Sequence, residues 1–179
     1  MFLAVLAANG YAALHDAATA TGRRLLVILI PCVLLLEYSV TSLELVPYDN
    51  VAPPIYGFLQ RLPPGVVAEF PVPPKNVIPG PDARYTYMST FHWKPLINGY
   101  SGHHPRSYLR RLEHLRSFPD ATSLDVLRQT GVQYVVVHVS EYPNEKQLLL
   151  DLQMYPELVV QASLRDGRGQ AILYRLESH

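Results

Sequence analysis

Leu25 to Leu36 reads LLVILIPCVLLL, an uninterrupted apolar run directly behind Arg23-Arg24, and it constrains the chain more than any other feature. The run is shorter than the roughly 20 residues of an ideal spanning helix. Extension through Glu37, Tyr38, Ser39 and Val40 to Leu45 reaches a far interface, with Tyr38 at headgroup depth. Pro31 is compatible with a bilayer, where neighbouring helices satisfy the carbonyl it frees. Two arginines followed by such a run form a membrane-entry pattern, so a transmembrane helix is expected over residues 23–46. A buried core helix and a secretory signal peptide are the rivals. The charges stand far from Met1 and no small-x-small cleavage site follows promptly, which opposes the signal peptide.

Upstream, MFLAVLAANGYAAL reads as the end of a preceding membrane helix, so residues 1–22 are expected to hold that end and a cytoplasmic loop. The positive-inside rule then keeps Arg23-Arg24 in the cytoplasm. Residues 47–179 become an extracytoplasmic domain on the inner (cell) membrane, exposed after about Val46. A single cysteine excludes an internal disulfide framework and a Cys-based zinc cluster, and does not oppose export. The 15 Lys+Arg balance the 15 Asp+Glu, which excludes the globally basic footprint of a nucleic-acid binder.

The exported part reads as a compact α/β (α+β) domain, a small mixed β-sheet flanked by helices. Ten of the sixteen prolines fall between Pro47 and Pro81, which favours extended segments and turns over long helices. Between them Ile55 to Leu62 has helical spacing behind Pro53-Pro54, and Val66 to Phe70 reads as a short buried strand. Leu109, Leu112, Leu115 and Phe118 recur every third residue, which predicts a helix from about Pro105 to Ser117. Thr122 or Ser123 can cap a helix through Gln129, stopped by Gly131. Tyr134 to Val139 is β-branched without alternation, as in a central strand buried on both faces. Pro143 opens a helix through Met154, and Leu158–Leu164 with Ala171–Leu176 forms a hairpin around Asp166-Gly167-Arg168-Gly169.

One interval concentrates chemistry. No acidic residue lies between Asp82 and Glu113, whereas Arg84, Lys94, Arg106, Arg110 and Arg111 do. His92, His103 and His104 share the interval with Tyr85, Tyr87, Phe91, Trp93, Tyr100 and Tyr108. Cations interleaved with rings suit a ligand bearing phosphate oxygens and sugar or apolar faces. Asn98 can serve a sugar hydroxyl as donor and acceptor. The candidate substrate-binding set is His92, Trp93, Lys94, Asn98, Tyr100, His103 and Arg106. The structural alternative gives Trp93 and Phe91 to the core, Asn98-Gly99 to a turn, and Arg110 and Arg111 to a solvated helix face or lipid headgroups. Adjacent histidines with no carboxylate nearby make a poor metal set, and there is no nucleophile elbow for a Ser-His-Asp hydrolase. No catalytic residue, metal or cofactor is assigned.

The string TFHWKPLINGYSGHHP, followed by Phe118-Pro119-Asp120 and by Leu127 to His138, resembles the C-terminal extracytoplasmic region of bacterial multi-pass membrane proteins related to the GT-C glycosyltransferases. The likeness runs from about Arg23 to Leu176 in its order of elements, and is most specific at His92 to Tyr100. It implies a domain that assists binding of a glycan acceptor or a polyprenyl-phosphate sugar donor, with membrane lipid and an N-terminal membrane core as partners. The acidic base of that family sits on an early outward loop with no counterpart here, so the sequence reads as a non-catalytic terminal fragment. The alternative is a stand-alone, membrane-anchored module for cell-envelope glycan binding or assembly.

Overall fold

The computed structural model describes residues 2–39, 51–75, 77 and 80–177. The chain divides into two units, Met1–Tyr48 and Asp49–His179.

The first unit is a pair of helices, α1 (Phe2–Ala17) and α2 (Ala20–Glu37), joined at Ala18-Thr19. Thr19 caps α2 by accepting from the Gly22 amide at 3.3 Å. Arg23 Nε donates to the carbonyls of His15 (3.0 Å) and Ala18 (3.2 Å), and Nη2 to that of Asp16 (3.3 Å). Its guanidinium therefore covers the last carbonyls of α1. The expected break before Arg23 lies instead at Ala18-Thr19, so both arginines stand inside α2. Among the described residues no helix is long and apolar enough to cross a membrane. The 18 residues of α2 span about 27 Å, and Arg23, Arg24 and Glu37 interrupt its apolar character. The expected span over 23–46 is thus not shown, and residues 40–46 lie outside the described part. No side chain of α2 is buried; Leu25, Ile28, Leu35 and Leu36 all face outward.

The second unit carries the expected α/β domain. Its helices are α3 (Pro54–Arg61), α4 (Asp82–Met88), α5 (Arg106–Leu115), α6 (Ala121–Gln129) and α7 (Glu145–Gln153). Its strands are β1 (Val66–Phe70), β2 (Val132–His138), β3 (Leu158–Asp166) and β4 (Gly169–Leu176), in sheet order β1-β2-β4-β3. β1 and β2 are parallel, and β4 is antiparallel to both β2 and β3. Alternation along the strands sends Ala68, Phe70, Val135, Val137, Ile172 and Tyr174 into one core, shared with α5, α6 and α7. Val67, Val136, Ala171 and Leu173 enter the opposite core, shared with α3 and Met88 of α4. The sheet is therefore the middle of three layers.

Two local expectations change. Asp120, not Thr122 or Ser123, caps α6: its carboxylate accepts the Ser123 amide at 2.7 Å, and Ser123 Oγ accepts the Asp120 amide at 3.0 Å. Helix α4 falls between the expected strand Val66–Phe70 and the expected helix from about Pro105, where no regular element was expected. Its Asp82, Tyr85 and Met88 are spaced to bury one helix face, and packing of that face overrides the weak helix propensity of Tyr85-Thr86-Tyr87.

Candidate functional site

Within the interval singled out in the sequence, the stretch around Leu96 is a fifth extended segment beside β1. Val67 forms a parallel bridge with Leu96, its amide donating to the Pro95 carbonyl at 2.8 Å and its carbonyl accepting from the Ile97 amide at 2.9 Å. One residue pair further on, the Asn98 side chain replaces the backbone. Oδ1 accepts the Glu69 amide at 2.7 Å, and Nδ2 donates to the Glu69 carbonyl at 2.9 Å and to Asp82 Oδ1 at 3.2 Å. At the other end Lys94 Nζ donates to the carbonyls of Leu62 (2.8 Å) and Pro63 (2.9 Å), just past α3, and lies over the Tyr134 ring. Lys94 and Asn98 are both buried. They are fasteners of the segment, not contacts offered to a ligand.

That fastening separates the candidate residues. From Lys94 to Asn98 an extended chain covers about 13 Å. Trp93 therefore stands at the amino end of β1, while Tyr100, His103 and Arg106 follow its carboxyl end. All four are solvent-exposed. Trp93 is 81% exposed with φ 54°, between buried His92 and buried Lys94. Its amide donates to the Ser89 carbonyl at 2.8 Å, the closing position of the turn that continues α4. Glycine is the usual occupant of such a left-handed position, because a bulky side chain is strained there. The fold thus holds its one tryptophan out of the core at some cost in backbone energy.

The carboxyl ends of β1 and β2 carry a polar cluster that the sequence reading largely missed. Parity places Glu69 and His138 on the face covered by α3 and α4. Glu69 is fully buried, and its Oε2 accepts the Tyr56 hydroxyl at 2.6 Å and His138 Nε2 at 2.9 Å. Tyr85 stacks on the His138 ring, with centroids 5.3 Å apart, and its hydroxyl donates to the Pro71 carbonyl at 3.1 Å. Buried Asp82 accepts from Asn98 and from the Tyr108 hydroxyl. The signal for the cluster was present: a carboxylate inside VVAEF and a histidine closing YVVVH are anomalies in strands this apolar.

Burial first, and the neighbouring Glu69 carboxylate second, push the Tyr56 hydroxyl far above its ordinary range, so Tyr56 is a permanent donor. Burial also raises Asp82, although its bonds from Tyr108 and Asn98 pull the other way. His92 stacks on Tyr56 at 5.9 Å, and its Nδ1 accepts the Lys94 amide at 3.0 Å. The neutral ring therefore keeps its hydrogen on Nε2, which is buried without a partner among the described residues. Burial lowers the His92 pKa, with nearby Lys94 acting the same way against Glu69.

This gives a signed expectation. The unfolded chain protonates His92 near its unperturbed value of about 6.5, while the folded chain does so only at lower pH. Stability is then fully present above that value and falls as pH drops through the window below it. His92→Asn can keep the acceptor for the Lys94 amide without the titration. Urea unfolding between pH 7.5 and 5.5 is expected to give a shallower decline for that variant, and identical slopes would contradict the burial argument.

Among the described residues no group of three or more His, Cys, Asp or Glu is placed to hold a metal ion. Comparison with protein-family models, with curated proteins and with solved structures gave no match.

Proposed function

We propose that the chain serves a GT-C-like membrane glycosyltransferase as its anchored extracytoplasmic domain, with Trp93 as the contact for a glycan acceptor or a polyprenyl-phosphate sugar donor. The observation that carries this reading is Trp93 itself, an indole presented to solvent at a strained backbone position between two buried neighbours. An aromatic face accepts the C–H face of a sugar, and an indole is also the side chain that lies best among lipid headgroups. Tyr100, His103 and Arg106, each exposed, carry groups suited to hydroxyls and to phosphate oxygens. The α2 segment supplies the anchor in this reading. From Leu25 to Leu36 it is apolar with no side chain buried, a pattern that calls for cover by lipid or by other helices.

A glycine substitution separates the strain from the contact. Trp93→Gly is expected to stabilise the folded unit by about 0.5–1 kcal/mol, because glycine adopts positive φ without steric cost. The same change is expected to weaken retention on vesicles carrying a polyprenyl-phosphate sugar by about tenfold or more, the scale of a lost aromatic anchor. Urea denaturation and vesicle flotation of the full chain measure the two effects. A variant that gains stability and floats as well as wild type would refute the contact. Failure of added protease to cleave the 49–179 unit in intact spheroplasts would refute its place outside the membrane.

A further inference from the structure

A cleft opens beside His138, walled by Tyr56, Arg84, Ser140, Glu141 and Gln170, with an interior volume of about 20 Å³. That is room for one water molecule or one hydroxyl group. It lies beyond the carboxyl end of the parallel pair β1/β2, where open α/β sheets place their ligands. The tip of the β3–β4 hairpin closes one wall. Gly169, at φ 119°, packs so closely that an added Cβ would meet Ser140 Oγ at 2.3 Å, and Ser140 Oγ accepts the Gln170 amide at 3.0 Å.

The orientation of His138 decides what the cleft can do. Its Nε2 faces the fully buried Glu69 carboxylate at 2.9 Å, with the Tyr56 hydroxyl at 3.4 Å. A carboxylate only accepts, so Nε2 carries the hydrogen and the neutral ring has its lone pair on Nδ1. Among the described residues Nδ1 has no hydrogen-bond partner. The side chain is 15% exposed and borders the cleft. Tyr85 stacked on the ring and Glu69 behind it fix this orientation. An imidazole held through one nitrogen by a buried carboxylate, with the other nitrogen open, is the working half of a general base.

We propose that the cleft is a proton-accepting site for a hydroxyl-bearing ligand, water or an alcohol, with His138 Nδ1 as the acceptor and Glu69 as the positioning residue. With water as the hydroxyl and a carboxylic ester as electrophile, the water O–H bond breaks as the Nδ1–H bond forms, and the oxygen adds to the carbonyl carbon. Collapse expels the alkoxide, which takes the proton back from Nδ1 and leaves acid and alcohol. The Arg84 guanidinium, paired with Glu141 at 2.5 Å, lies on the same wall of the cleft. The charged and titratable groups facing His138 are Glu69 from β1, Tyr56 from α3, and Arg84 and Tyr85 from α4. Glu141 follows β2, and Asp166 and Arg168 come from the hairpin. The site does not depend on Trp93 or on the glycan reading.

The test uses the full chain with p-nitrophenyl acetate as probe. At fixed pH the wild-type chain is expected to give a rise in rate over buffer alone. His138→Gln is expected to remove at least about nine tenths of that rise, on the low side of general-base effects. Glu69→Gln is expected to reduce the rise severalfold, and exposed His114→Gln to leave it unchanged. A His138→Gln rate equal to wild type would overturn the proposal. Because His138→Gln also removes a partner of Glu69, the ring nitrogens of the wild-type chain provide an independent check by long-range ¹H–¹⁵N NMR. Hydrogen on Nε2 with bare Nδ1 supports the site, and hydrogen on Nδ1 overturns it.

Discussion

Replacing Asn98 with alanine is expected to destabilise the 49–179 unit by about 3–5 kcal/mol. The side chain makes three buried hydrogen bonds, two to the Glu69 backbone and one to Asp82. Its amide acts as the next peptide group of the extended segment, satisfying the outer edge of β1 where the backbone turns away. Alanine leaves the Glu69 amide, its carbonyl and one Asp82 oxygen buried without partners, and each such group costs about 1–3 kcal/mol. Asn98→Asp sharpens the expectation. The substitution is nearly isosteric, yet it sets a carboxylate oxygen against the Glu69 carbonyl and against Asp82, so it should cost at least as much as alanine. Urea unfolding measures both. An Asn98→Asp protein of wild-type stability would show that Asn98 is not the fastener assigned here.

Glu69→Ala is the second large effect, expected at about 2–4 kcal/mol. It strands the Tyr56 hydroxyl and His138 Nε2 together and opens a cavity at a fully buried position. Both donors share Oε2, so the amide oxygen of Glu69→Gln can still accept from each, and the variant should lose roughly half as much or less. A Glu69→Ala chain within about 1 kcal/mol of wild type, a typical surface-like outcome, would remove the carboxylate from its place as organiser of the β1/β2 carboxyl ends. Both effects are local to the second unit, since every group involved lies between Tyr56 and His138.

The regular elements of this unit were legible because burial and backbone chemistry agreed along short stretches. The β-branched run of β2, the DGRG turn of the hairpin and the spacing of Leu112 and Leu115 each specify one structure. Helix α4 was not legible, since Tyr85, Thr86 and Tyr87 favour strand locally and only the packing of Asp82, Tyr85 and Met88 makes the segment helical. The candidate site was half legible. Composition identified the stretch from His92 to Arg106 as unusual, but it carries no information on where an ammonium or an amide points. Lys94 and Asn98 look the same in sequence whether they reach a ligand or, as here, the carbonyls of Leu62, Pro63 and Glu69. Trp93 is displayed because both neighbours are anchored, a fact of tertiary structure. Glu69 and His138 are legible from their placement as ionisable side chains inside apolar strands. In the first unit the apolar run lies within α2, which begins at Ala20, and the expected membrane span over 23–46 is not shown. Thr19 caps at the N-terminus and Arg23 turns back to close α1, contacts that no window of hydropathy contains.

Trp93 is the sole tryptophan, so its emission reports on the proposed contact with no background from other indoles. The direct measurement is the fluorescence of the full chain in phospholipid vesicles prepared with and without a polyprenyl-phosphate sugar. In plain vesicles a solvated, red-shifted and readily quenched indole is expected. Addition of the sugar lipid should shift the emission to the blue and protect it from acrylamide. Identical spectra and quenching in the two preparations would contradict the assignment of Trp93 as the ligand contact.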